Sequence, residues 1–158
     1  MSKFARLFSI IVMLIFTHIT MSAESTLTIF FPAYINDKYT LTINGQQVEG
    51  MEFPIRKVNN TLNKQTPIVY YQKSFKQIHF NKNGKYLVIV KMEYTNPNNA
   101  NVTTYQAEYQ IILESGDEIF LEVESKSFSD MKITEIDSKK AGKYINSGKY
   151  HRLSDENL

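Results

Sequence analysis

The chain contains no cysteine. Disulfides are therefore excluded, and stability must come from apolar burial and backbone pairing. A lipid-anchored protein of the usual bacterial kind is excluded too, because that lipid is attached to a cysteine at the cleavage site. Histidine is almost as scarce: His18, His79 and His151 are the only three, with no close pair among them. A tetrahedral zinc site without thiolates would need several histidines or carboxylates at suitable spacing, and no such spacing occurs. The six glycines are scattered singly at turns, so no phosphate-cradling loop is present, and the nucleophile-elbow pattern G-x-S-x-G is absent. Helix-forming sequence is sparse as well.

The one long apolar run opens the chain. Lys3 and Arg6 precede Leu7–Phe16, which only Ser9 interrupts, and Thr20, Ser22 and Ala23 supply small residues before Glu24. This order predicts a secretory signal peptide over residues 1–23, cleaved after Ser22 or Ala23. The alternative is an uncleaved N-terminal anchor, which would make the protein an envelope-anchored assembly subunit. The expected location is periplasmic or secreted, in a bacterium, with membrane contact only if the leader is retained. Removing the leader takes away Lys3 and Arg6 and leaves 135 residues with 16 basic and 16 acidic side chains. One domain of that size can bury about two-thirds of its unfolded surface. Its zero net charge gives no global attraction to nucleic acid or anionic lipid.

What the rest of the chain has in abundance is period-two alternation. Leu27, Ile29 and Phe31 alternate with Thr26, Thr28 and Phe30, and Tyr39, Leu41 and Ile43 alternate with threonines. Tyr86, Val88, Val90, Met92 and Tyr94 share one face of a long strand, as do Tyr105, Ala107, Tyr109, Ile111 and Leu113. Ile119, Leu121 and Val123 alternate with Phe120, Glu122 and Glu124, the acids marking a wet face. Asn44-Gly45 and Asn83-Gly84 suit tight hairpin turns. Ser115-Gly116-Asp117 predicts a close antiparallel connection, so residues 75–125 read as a four-strand meander. Asn59–Thr66 is polar and patternless, a surface loop. The expected fold is all-β, an antiparallel β-sandwich of about 7–9 strands over residues 24–145. At most one short helical turn falls near residues 138–145, with Ser138 as cap, and residues 146–158 form a loosely held polar tail.

Tyr39–Val48, with its Asn44-Gly45 turn, resembles the opening hairpin of a family of small bacterial exported domains of unknown function. That family is related in outline to transthyretin-like and carboxypeptidase-regulatory-like β-sandwiches. Asn83–Val90 is similar to the turn and strand that follow in such domains, Gly116–Val123 to the next strand, and Ile133–Asp137 to the closing one. The resemblance spans residues 26–145 and implies a β-sandwich with a non-enzymatic role. It carries no site residue. Many members of that family are lipoproteins, whereas this chain has no lipid-bearing cysteine, and Asn59–Thr66 looks like an insertion.

Charge is unevenly spread. Residues 53–92 hold eight basic residues and no acid, whereas residues 93–137 hold ten acids against Lys126 and Lys132. Adjacent placement would neutralise the two segments across strands; separate placement would make the domain electrically polar. Tyr70 and Tyr71 lie beside Lys73 and Lys76, and Arg56 and Lys57 precede them. Together, Arg56, Lys57, Tyr70, Tyr71, Lys73 and Lys76 form the candidate contact surface for a protein partner or envelope component, and exposed strand edges could accept another chain. Base stacking uses a similar mixture, but an exported protein rarely meets nucleic acid. Glu122, Glu124 and His79 are the residues that a small hydrolase would use, although keeping a strand face soluble is the better account of the two acids, since no Asp/Asn/Gly loop of calcium spacing accompanies them. The expectation is a binding or structural accessory without catalytic residues, metal or cofactor.

Overall fold

The computed structural model describes residues 23–35, 37–58, 68–96, 99–125 and 130–158. The expected leader, except Ala23, and the expected loop at Asn59–Thr66 lie outside the described residues. No helix among the described residues is long and apolar enough to cross a membrane. The fold is an all-β sandwich. Its strands are β1 Ser25–Phe31, β2 Tyr34–Ile35, β3 Asp37–Ile43, β4 Gln46–Gln47, β5 Ile55–Val58, β6 Ile68–Tyr71, β7 Ser74–Phe80, β8 Gly84–Thr95, β9 Val102–Leu113, β10 Glu118–Ser125, β11 Met131–Glu135, β12 His151–Arg152 and β13 Glu156–Asn157. One helix, α1 Ser138–Asn146, follows β11.

Three sheets result. The largest runs β11-β10-β1-β7-β12, with β13 also pairing β7; a second runs β4-β3-β8-β9; a small third runs β2-β6-β5. The first two enclose the main core. Leu27, Ile29, Phe31, Ile78, Phe80, Leu121 and Val123 meet Leu41, Val88, Val90, Ile111 and Leu113 there. The faces read from period two in β1, β3, β8, β9 and β10 are the faces the core takes. At Asn44 and Gly45, φ values of 49° and 80° make the tight turn between β3 and β4, the positive-φ geometry that the pair was expected to adopt.

The connections differ from the expected meander. β8 and β9 do form a twelve-residue antiparallel hairpin. However, β7 pairs with β1 and β8 with β3, so the Asn83-Gly84 turn carries the chain from one sheet to the other instead of closing a hairpin. The Ser115–Asp117 turn does the same. β10 leaves it to pair in parallel with β1, from Thr26 opposite Glu118 to Phe30 opposite Glu122. A short turn fixes only the distance between strand ends, and a corner between stacked sheets satisfies that distance as well as a hairpin does. This corner is held to β1 by backbone bonds: Thr26 N donates to Asp117 O at 2.8 Å and Gly116 N to Ala23 O at 3.1 Å.

The large sheet is covered on both faces. Phe30 is fully buried on the side away from the main core, where Phe75 and Ala141 join it and Phe120, Ile136, Tyr144 and Tyr150 pack around them. The α1 helix supplies this cover, and it is longer than the single turn expected. Its cap is Asp137 instead of Ser138: the Asp137 carboxylate accepts the Lys140 N–H at 2.7 Å. Nor is the segment after the helix a loose tail. β12 and β13 pair in parallel with β7, Leu153 is buried, and the Leu158 N–H donates to His79 O at 2.8 Å. Polar composition misled here because pairing to an edge uses the backbone, which composition does not report. Phe30→Ala should therefore cost about 3–5 kcal/mol in a urea or thermal denaturation experiment, as for a core phenylalanine. A loss below 1 kcal/mol would mean that the second layer carries no packing energy.

Candidate functional site

The small third sheet brings part of the predicted contact surface together. In its register Arg56 lies opposite Tyr70, Lys57 opposite Val69, and Tyr71 between Ile55 and Tyr34. Because side chains alternate across a strand, Arg56 and Tyr70 share one face and Ile55 and Tyr71 share the other. Arg56 is exposed, as are Ile55 and Tyr70, at 47% and 36%. The backbone position of Lys57 is described, but its side chain is not.

The remaining two candidates belong elsewhere. Lys73 is exposed but lies over the Tyr150 ring, its Nζ 5.4 Å from the centroid, on the helix-covered side of the large sheet. Lys76 is no surface contact at all, since it is fully buried. Its Nζ donates to Glu49 O at 2.6 Å and to Ser154 O at 2.5 Å, and stands 3.8 Å from the Glu156 carboxylate. Burial pushes the amine below its ordinary value, while Glu156, Asp155 and Glu49 oppose that shift. The lysine thus ties the β4–β5 connection to the C-terminal strap. Gly50, at φ +65°, is part of the same seat: a Cβ there would meet the Ser154 hydroxyl and come within 3.1 Å of Lys76 Nζ.

Of the residues considered for chemistry, Glu122 ties β10 to α1, and the others sit among surface ionic or polar neighbours. Glu122 accepts hydrogen bonds from Lys140 Nζ at 2.5 Å and the Tyr144 hydroxyl at 2.8 Å. Its face of β10 is covered by α1, not wet as expected. Glu124 pairs with Lys132 at 3.0 Å across β10 and β11. His79 stands between Glu24, 3.5 Å from its Nδ1, and Asp155, 3.9 Å from its Nε2. His151 Nε2 bonds Gln72 Oε1 at 2.6 Å. No three histidine, aspartate or glutamate residues gather into a metal-holding group among the described residues. The charged segments meet at their boundary, where Lys91 and Glu93 pair at 2.8 Å along one strand. Lys76, Glu122 and Glu124 instead take partners outside the opposed segment, or within their own.

The second layer also holds an unusual tyrosine. Tyr144 and Tyr150 stack with centroids 4.8 Å apart, and Phe30 meets both rings edge-on. Burial, then the neighbouring Tyr144 and Glu122, push the Tyr150 hydroxyl up to about 12. Burial raises Tyr144 and Tyr109 as well.

Two outcomes follow from this geometry. Lys76→Met leaves the Glu49 and Ser154 carbonyls without their donor and should cost about 1–3 kcal/mol in denaturant unfolding. Backbone amides of Leu153 and Leu158 should then exchange faster; unchanged exchange would show that the lysine does not hold the strap. In the alkaline range the unfolded chain releases the Tyr150 proton near its ordinary pKa of 10.0, whereas the folded chain keeps it to about 12. The resulting stability is complete below pH 10 and is lost as pH rises to 12. Tyr150→Phe should flatten that decline in a series of denaturation midpoints, and it should delete the last phenolate to appear by absorbance. Compared with known proteins, the chain matches no family model, and no characterised protein or solved structure is significantly similar to it.

Proposed function

We propose that this protein is a non-enzymatic binding or structural accessory of the bacterial envelope, exported to the periplasm or beyond by a cleaved N-terminal leader. The observation that carries the reading is the Arg56–Tyr70 pair: a cation and an aromatic ring directly opposite each other on the exposed three-stranded sheet, with Ile55 exposed on its other face. Arginine and tyrosine are the side chains that most often anchor protein contacts, since each joins a large flat apolar area to polar donors. The engagement of Glu122 by Lys140 and Tyr144 supports a structural role for the acid that a hydrolase would need. The partner is an acidic protein or envelope component, which the exposed Arg56 would attract; Lys76 and Lys91 of the same basic run are buried and paired, respectively. The resemblance to small exported domains with a transthyretin-like sandwich belongs to the same reading.

The test compares the unaltered protein with an Arg56→Glu/Tyr70→Ala variant as bait in an envelope extract. Any partner held through this surface should bind about tenfold or more weakly to the variant. Equal retention of every captured protein by both baits would remove Arg56 and Tyr70 from the reading.

A further inference from the structure

β9 is the outer strand of its sheet. β8 takes one of its sides along all twelve residues without a bulge, and no described strand pairs with the other. Proteins usually blunt an edge of this length with lysine, proline or a bulge, because its free N–H and C=O groups invite another chain. β9 contains neither lysine nor proline, and Glu108 is its single charge. It also carries the two most exposed large apolar side chains among the described residues, Val102 at 61% and Ile112 at 59%. We propose that β9 pairs antiparallel with β9 of a second copy of this chain, about a two-fold axis at Ala107. This surface is separate from the Arg56–Tyr70 sheet and does not depend on the function assigned to it.

The register follows from the strand itself. Ala107, Ile111 and Leu113 face the core, so the even-numbered residues face outward. A two-fold axis perpendicular to the sheet keeps that outer face continuous only where even positions meet even positions. Centring on Ala107 sets Val102 opposite Ile112, Thr104 opposite Gln110 and Gln106 opposite Glu108, and pairs all of the strand except Leu113. The two exposed apolar side chains then cover each other. One step toward the C-terminus brings Glu108 against its own copy, a like-charge clash. One step the other way leaves Ile112 opposite Ala100, outside the strand. Gln106 and Glu108 are also compatible neighbours: within one chain Gln106 Nε2 already donates to Glu108 Oε1 at 2.9 Å. β11 runs close beside β9, where the Tyr109 hydroxyl donates to Glu135 at 3.1 Å, but no ladder bonds join the two strands, so the outer backbone groups of β9 remain for the new contact. The two four-stranded sheets would merge into one of eight strands.

The absence of native cysteine makes a direct test possible. Gln106→Cys and Glu108→Cys are prepared as separate single variants and oxidised mildly, alone and mixed. Opposite positions lie about 5 Å apart at Cβ, whereas each position and its own copy are diagonal, at about 7–8 Å. The mixture should therefore give mixed disulfide dimers in about tenfold excess over either self-dimer. Self-dimers forming as readily as mixed ones, or no cross-linking in any sample, would overturn the register. Sedimentation of the processed, untagged protein supplies the second readout. It should show a dimer that Ile112→Lys weakens about tenfold or more. A monomer at about 1 mM, or a dimer indifferent to Ile112→Lys, would overturn the proposal.

Discussion

β1 occupies the middle of the large sheet, with β10 on one side and β7 on the other, and neither of its faces can be wet. Leu27, Ile29 and Phe31 fill the space between the two main sheets, so Phe30, pointing the other way, needs a separate cover. That requirement organises the rest of the chain. It accounts for a helix in an otherwise all-β protein, for the aromatic residues on that helix and just after it, and for a C-terminal segment that returns to the sheet. It also fits the parallel pairing of β1 with β10, since parallel strands are normally shielded on both faces. The cover is a mixed layer: Tyr144 and Tyr150 present rings to Phe30, while Lys140 and the Tyr144 hydroxyl satisfy Glu122.

The strap that follows α1 solves a second problem, the open side of β7. Two strands of two residues each would be negligible on their own, because so few ladder bonds cannot offset the entropy of ordering the segment. Leu153 adds apolar burial between them, and Lys76 adds two charge-assisted hydrogen bonds, one of them to Ser154. A buried amine is expensive to desolvate, and its lowered pKa reflects that cost. Two carbonyl acceptors and the Glu156 carboxylate repay part of it. Removing any one of these partners leaves the others buried and unsatisfied, so the arrangement fixes where the strap must lie more than it adds net stability.

Much of this fold was legible because side-chain alternation is a local signal. The faces of β8 and β9 and the Asn44-Gly45 turn need nothing beyond their own residues. Pairing partners were less legible. Asn83-Gly84 and Ser115–Asp117 have the composition of hairpin turns, and composition does not distinguish a hairpin from a corner between stacked sheets. The Lys76 assignment failed for a different reason. By period two it falls on the face of Ile78 and Phe80, so its burial was already implied, but its charge was given more weight than its position. Backbone carbonyls from two loops repay part of the cost of burying the ammonium group, and only the tertiary structure brings Glu49 and Ser154 there. Arg56 and Tyr70 could be named from composition, but their direct opposition depends on the β5–β6 register.

The same contrast separates the two ends of the sandwich. β7 is an edge that the chain covers with its own C-terminus, using parallel bridges, a buried leucine and a buried cation. β9 is an edge of greater length and lower charge; β11 passes close beside it, but no described strand pairs with it. Sandwich proteins whose edges are all hazards tend to blunt every one of them. A chain that invests residues 151–158 in closing one edge, yet keeps lysine and proline out of the other, treats the two edges differently. The difference is chemical as well as geometric: the outer face of β9 carries one hydroxyl, two amides, one carboxylate and two terminal apolar groups, and the register centred on Ala107 sets each beside a compatible neighbour. A surface matched to its own reverse is what a two-fold contact between identical chains requires.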